Sequence, residues 1–252
     1  MLALEGRRVG IKFLIWGFAL KNENTVPEKK TAAGANQITY ARGEEWTNII
    51  THIVGGALSL VAAVLMLIRV SKTGDGLKIT SIALYSFALI EMYVMSALYH
   101  AQPVGHRRRA VFRRFDHCSI ALLIAGTYAP FMLIGFVDLG GAAKVWGIVI
   151  ASIVLAMAIL VIVFNAINVA KFRVFCMIAY VIMGWCCVMR ADLLLRLPGH
   201  AFVFLVVGGA VYTLGILFYR IKRIPWNHAI WHFFVMAASA LHFVAVYCYL
   251  LG

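Results

Sequence analysis

Charge is what this chain lacks most. Of its 252 residues, only 13% are Asp, Glu, Lys or Arg, where a soluble domain carries about 25%. Acids are the scarcer kind, with 10 Asp and Glu against 23 Lys and Arg. An intrinsically disordered chain and a charged coiled coil are excluded on this ground. Cysteine is sparse too. Cys118, Cys176, Cys186, Cys187 and Cys248 are odd in number, and none forms a CxxC pair. No disulfide framework follows, and they read as free, small apolar side chains. Internal repeats, low-complexity segments and alternating apolar strands are also missing, which disfavours a β-barrel.

What is abundant is apolar surface, at 63% hydrophobic residues. No soluble domain of this size could bury so much. The apolar residues gather into seven runs near 46–70, 79–100, 116–137, 144–165, 172–192, 200–220 and 228–251. Each is about as long as a membrane-spanning helix requires. The expected fold is therefore all-α, a polytopic bundle of seven transmembrane helices occupying 44–252. Short connections make sequential helices antiparallel neighbours.

Ahead of the bundle, 1–43 forms a basic leader. Arg7, Arg8 and Lys12 mix with Phe13, Leu14, Ile15, Trp16 and Phe18, followed by a polar stretch from Lys21 to Arg42. The apolar part reads as an interfacial helix on the inner leaflet in preference to a signal-peptide core. Of the 23 Lys and Arg, seventeen fall in the leader and the second, fourth and sixth connections, and six on the other side. The positive-inside rule then places the N-terminus in the cytoplasm and the C-terminus outside, in a multi-pass plasma (inner) membrane protein. The net charge of +13 is thus assigned to membrane orientation, and nucleic acid is not an expected partner.

Ionisable residues inside a membrane are costly and mark function. His100 ends the second run, Asp116 begins the third, and His228 and His232 begin the seventh. His52 lies in the first two turns of the first run. All five share the cytoplasmic depth. His228 and His232 form an HxxxH, which puts both imidazoles on one helix face. Ser96 and His100 share a face in the same way. Three neutral imidazoles and a water make an open tetrahedral zinc site, with Asp116 to orient that water or take its proton. Other polar residues have plainer readings. His52 is expected to bond a neighbouring helix. His117, one step around from Asp116, is expected to face elsewhere and pack. His106 and His200 fall in solvated loops. His242 lies about 21 Å deeper than His228. Glu91 sits opposite His100, either paired with another helix or lining a cavity. Arg190 and Asp192 are expected to snorkel at the outer boundary. The pairs Gly55–Gly56 and Gly208–Gly209 suit close helix contacts.

The motifs combine into a known pattern. Glu45-Trp-Thr-Asn48-Ile-Ile-Thr-His52 comes first, then Ser96-Ala-Leu-Tyr-His100. Next is Phe115-Asp116-His117, with Gly126-Thr127-Tyr128-Ala-Pro130 downstream. Tyr180, Gly184, Trp185, Gly208, Gly209, Tyr212 and Gly215 follow, and His228-Ala-Ile-Trp-His232 closes the series. Over about 44–252 the chain resembles the hemolysin III branch of the progestin and adipoQ receptor family. The resemblance implies seven helices with the N-terminus inside. It implies zinc on His100, His228 and His232, a water held by Asp116, and Ser96 near the metal. Receptor relatives are linked to hydrolysis of lipid amides such as ceramide. The expected function is a zinc-dependent hydrolase of lipid amides or esters, with a substrate entering from the inner leaflet. The alternatives are a sensor-like protein with structural zinc, or a pore-forming cytolysin. The polar cluster at one end favours a blind cavity over a pore.

Overall fold

The computed structural model describes residues 29–30, 36–221 and 223–252. The interfacial helix expected within 1–20 lies outside the described residues. A two-residue ladder pairs β1 (Lys29–Lys30) with β2 (Asn36–Gln37). Everything after it is helical. The helices are α1 (Arg42–Ser71), α2 (Gly76–Ala101), α3 (Arg107–Pro130), α4 (Gly141–Trp185), α5 (Ala191–Leu194), α6 (Ala201–Arg220) and α7 (Asn227–Val244). A π-helical turn, Phe131–Phe136, extends α3 beyond Pro130, and another, Ala245–Leu250, ends α7. A 3₁₀ turn, Cys186–Arg190, joins α4 to α5.

Among the described residues, six helical stretches are long and apolar enough to cross a membrane. The sequence patterning gave seven runs, and the difference has one cause. The runs near 144–165 and 172–192 fall in a single stretch, Gly141–Leu194, of 54 residues. Unbroken, it would extend about 80 Å at 1.5 Å per residue, against a hydrocarbon core of about 30 Å. It is interrupted at Asn168, whose backbone is extended (φ −161°, ψ 98°). Asn168 Oδ1 accepts from the Lys171 amide at 2.9 Å, so the same residue that breaks the first limb caps the second. The gap between the two apolar runs, 166–171, brackets this break, and the Asn168 side chain fixes its place.

Helix starts are fixed by local polar groups. Asp75 caps α2 through the amides of Leu77 and Lys78, at 2.9 and 3.2 Å. His106, expected to be a solvated loop residue, caps α3 through the Arg108 amide at 3.2 Å. The start of α7 is capped from another helix. Trp226 turns the chain with a left-handed backbone (φ 55°), and Glu44 of α1 accepts from the His228 and Ala229 amides. An acidic cap on α1 thus sets the position of the helix carrying HxxxH.

The helices pack in a ring of neighbours: α1 on α2, α2 on α3, α3 on α4, α6 on α7, and α7 back on α1. α3 is the most enclosed, and α4 and α6 meet only thinly. Outward faces are apolar, as at Ile50, Ile53, Leu58, Val61, Leu155, Ile159, Leu214 and Leu217. At the end away from the histidines, Lys78 pairs with Asp138 at 2.6 Å and Arg69 holds the Leu251 carbonyl at 2.6 Å. Arg190 and Asp192, expected to snorkel at the outer boundary, form a two-toothed pair at 2.8 and 2.7 Å, with Arg190 over the Trp146 ring.

Of the two glycine pairs, one member in each is tight. The Tyr93 ring fills the space a Cβ on Gly55 would need, whereas a Cβ on Gly56 would meet only Tyr93 Cβ at 3.6 Å. Gly55→Ala should therefore lower the thermal midpoint of the detergent-solubilised protein, at a cost of about 1–3 kcal/mol from overpacking. Gly56→Ala should hold or raise it, since Ala exceeds Gly in helix propensity by about 1 kcal/mol. Equal midpoints for the two variants would contradict this packing.

Candidate metal centre

Three imidazoles from two helices converge at one end of the bundle. His100 comes from the last turn of α2, and His228 and His232 from the first turns of α7. One ligand nitrogen from each lies within 4.8 Å of the others, and all three residues are buried. His100 Nε2 is 3.0 Å from His228 Nε2, which is 3.2 Å from His232 Nε2.

The outer nitrogens explain why the inner ones face each other. His100 Nδ1 is 2.8 Å from Glu45 Oε2. A carboxylate only accepts, so Nδ1 carries the proton and Nε2 keeps a lone pair. His232 Nδ1 is 3.2 Å from Thr51 Oγ1. The Thr51 hydroxyl donates to the carbonyl of Thr47 at 2.8 Å or Asn48 at 3.1 Å. Its oxygen is thus free to accept from Nδ1–H, and His232 Nε2 also presents a lone pair.

Lone pairs at this separation repel unless a proton or cation lies between them. A tetrahedral ion bound at 2.0–2.1 Å sets its ligand nitrogens about 3.3 Å apart, close to the observed spacings. An imidazole-only set suits zinc and neighbouring divalent transition metals. The residues therefore fit a metal ion, and the Glu45–His100 contact is the carboxylate–histidine arrangement that orients metal ligands.

Around this core the supports are dense. Glu45 is itself held by Arg109, through a very short contact from Nη2. Arg109 is buried, donates to the Gln102 carbonyl at 2.6 Å and lies over the Tyr99 ring. Tyr40, just ahead of α1, stacks on His228 with ring centroids 4.7 Å apart. Burial pushes its phenol well above the usual range. His52 stacks on His232 at 3.6 Å and meets the Tyr93 edge at 5.1 Å. The expected hydrogen bond from His52 to a neighbouring helix is not formed: neither of its ring nitrogens has a partner among the described residues. It is held by ring packing.

Asp116 and Ser96 face the same space but stand apart from the three imidazoles. Ser96 and His117 both approach the Asp116 carboxylate, with His117 Nδ1 3.3 Å from Oδ2 but not aligned for a hydrogen bond. This corrects the expectation for His117. Successive side chains diverge by about 100° on a helix, yet here the His117 ring turns back onto its neighbour's carboxylate. His117 is held from behind, its carbonyl accepting from the Tyr180 hydroxyl at 2.6 Å. Glu91 lies between α2 and α3, with one carboxyl oxygen buried and unpartnered among the described residues.

Ser96, Asp116, His117, His228 and His232 all line one cavity of about 180 Å³. From the histidines it runs past Tyr180, Tyr212 and Val235 to Leu205 and His242, between α3, α4, α6 and α7. His242 is remote from the cluster, as its spacing implied, but it marks the far end of this cavity. There it binds the Leu205 carbonyl at 3.1 Å, and Gly208 leaves room for its ring. The supporting roles of Tyr40, Thr51 and Arg109 were not foreseen. For α1 a signal existed: Glu45, Asn48, Thr51 and His52 share one helical face.

The chain matches the model of the family described as "Haemolysin-III related" over residues 40–243. It is 36% identical over 210 residues to "Hemolysin-3" of Bacillus cereus, covering 82% of this chain and 92% of that protein. It is 35% identical over 208 residues to "Hemolysin-3 homolog" of Bacillus subtilis (strain 168), covering 82% and 94%. "Monocyte to macrophage differentiation factor" of Homo sapiens is 27% identical over 175 residues, covering 66% and 69%.

Removing a ligand and removing a support should differ in degree. His228→Ala should abolish stoichiometric zinc binding, whereas Glu45→Ala should weaken it about 10–100-fold. His242→Ala should leave it unchanged, being at the other end of the cavity. Competitive titration against a zinc chelator reads all three, and equal affinities for His228→Ala and His242→Ala would refute the centre.

Proposed function

The chain belongs to the haemolysin-III related family, and from that premise we propose that it is a zinc-dependent hydrolase of lipid amides or esters in the plasma membrane. It is a multi-pass membrane protein. In this reading its helices make seven crossings, the break at Asn168 dividing Gly141–Leu194 into two. The excess of Lys and Arg at the histidine end puts that end, and the N-terminus, in the cytoplasm. The observation that carries the proposal is a convergence. Three imidazoles cluster, and two of them, His228 and His232, line one end of a largely apolar cavity together with a separately held carboxylate.

His100, His228 and His232 would hold the ion. When bound, it supplies a Lewis acid for the substrate carbonyl and lowers the pKa of water toward about 7. The remaining steps belong to the chain. Asp116 accepts a proton from the water that adds to the carbonyl carbon, and His117 and Ser96 fix the carboxylate for that transfer. The proton passes on to the amine nitrogen as the C–N bond breaks, giving a fatty acid and an amine. The cavity toward Leu205 and His242 takes the acyl chain and excludes bulk water. Membrane lipids are the partners this implies.

A second reading has support of its own. His100 and His232 are 3% and 1% exposed, and rings stack on His228 and His232, which suits a structural ion in a sensor-like protein. The pore reading has less support, because Asp116, His117, His228 and His232 line one end of the cavity and the walls beyond are mostly apolar.

Asp116→Asn separates the first two readings. The hydrolase should lose about 10²–10⁴-fold in rate and keep its zinc, measured as fatty acid released from short-chain ceramides and related amides. If wild-type protein releases none across a broad lipid panel, the sensor reading stands instead. Orientation is tested separately: a C-terminal reporter active only in the cytoplasm should be silent, and activity would reverse the topology.

A further inference from the structure

The cavity reaches the surface at a charged side chain. Arg173 is exposed and yet lines the cavity, so its guanidinium stands at an entrance. It lies in the first turns of the α4 limb that restarts after Asn168. Tyr219 lines the cavity at the same end, its ring 5.5 Å from the His228 ring. Three arginines from three helices, Arg173, Arg113 and Arg220, lie within electrostatic reach of Tyr219.

The acids that might balance this charge are already engaged. Glu45 is held by Arg109 and His100, and Asp116 by His117 and Ser96. Among the described residues, neither Arg173 nor Arg220 has a carboxylate within ion-pair distance. Just beyond the entrance the cavity walls turn apolar, at Ile124, Val181, Val206 and Ile216. A permanently charged planar fork at the mouth of an apolar tube is matched by an oxyanion carried on a hydrocarbon chain. The sparse contact between α4 and α6 puts this entrance where a membrane amphiphile could enter sideways.

We propose that this entrance binds the oxyanion head group, carboxylate or phosphate, of a single-chain amphiphile, with Arg173 reading the charge and the cavity taking the chain. The proposal rests on the lipid reading above for the contents of the cavity, but not on turnover. If that hydrolase reading holds, the favoured substrates are lipid amides whose amine half is acidic, as in N-acyl amino acids.

The test is equilibrium binding to the full chain in neutral phosphatidylcholine nanodiscs at low salt. The probes are dodecyl phosphate and dodecanoate, with dodecanol as the neutral match; none contains an amide or ester of a carboxylic acid. Wild-type protein should bind each anionic probe about 10-fold more tightly than dodecanol, as one charge-assisted contact warrants. Arg173→Gln should remove that preference while leaving dodecanol binding intact, which also reports a folded cavity. Arg108→Gln, an exposed arginine at the same end that does not line the cavity, should keep the preference.

Four outcomes would overturn the proposal. The preference could survive Arg173→Gln but vanish in His228→Ala, meaning the metal centre reads the anion. Arg108→Gln could reduce it equally, meaning diffuse surface charge. Inorganic phosphate could compete as well as dodecyl phosphate, meaning a free-anion site. Or no probe could bind, which removes the lipid cavity as well. A preference that depends on Arg173, in a protein that hydrolyses no lipid amide, would uphold the head-group site and remove only the hydrolase.

Discussion

Imidazole nitrogens gathered in the buried core of a membrane bundle repel wherever their lone pairs meet, until a cation or a shared proton joins them. The arrangement exists because the outer nitrogens are committed elsewhere. Glu45 takes the His100 proton and Thr51 takes that of His232. Both supports stand on α1, a helix that contributes none of the three imidazoles. Glu44, beside Glu45, caps the start of α7, so one turn of α1 sets both the rotamer of His100 and the seating of HxxxH. Arg109 locks Glu45 in turn. A buried ion-pair network of this kind is weak evidence for stability; here it fixes geometry.

The second determinant is the gap between α4 and α6. Elsewhere in the ring neighbouring helices are close, with Gly55 against Tyr93 and Gly126 against Ala88. α4 and α6 instead leave a cavity walled by Tyr180, Tyr212 and Trp185, bridged by the Trp185–Thr213 hydrogen bond at 3.0 Å. Both limbs of the helix broken at Asn168 line this cavity, through Asn165 on one and Arg173, Cys176 and Tyr180 on the other. A straight α4 could not place Asn165 and Tyr180, fifteen residues apart, within 2.9 Å of each other. Folding the helix back there brings both groups onto the His117 carbonyl and so beside Asp116. Backbone geometry in a helix that carries none of the three imidazoles thus builds the wall on which the carboxylate stands.

Much of this was legible in the residues, and the reason is physical. The cost of charge in a bilayer makes apolar runs long and polar exceptions few, so the helices and the depth shared by His100, Asp116, His228 and His232 could be read by counting. The i, i+4 spacing of HxxxH fixed one pair of ligands locally. Depth does not specify direction, however. His117 and His52 lay at the right level, and their roles could not be inferred from position along a helix. One turns onto Asp116, and the other stacks on His232 with no hydrogen bond.

By itself the sequence determined an all-helical membrane bundle, its charge asymmetry and the candidate ligands, because these depend on composition and on spacing within single helices. Tertiary structure alone decided that Glu45 and Thr51 orient imidazoles on other helices. It also decided that Tyr40 stacks on His228 and that His242 closes the far end of the same cavity. Each of these depends on which faces of different helices meet, and that is settled by packing across the bundle, where residues more than a hundred positions apart come within hydrogen-bond reach.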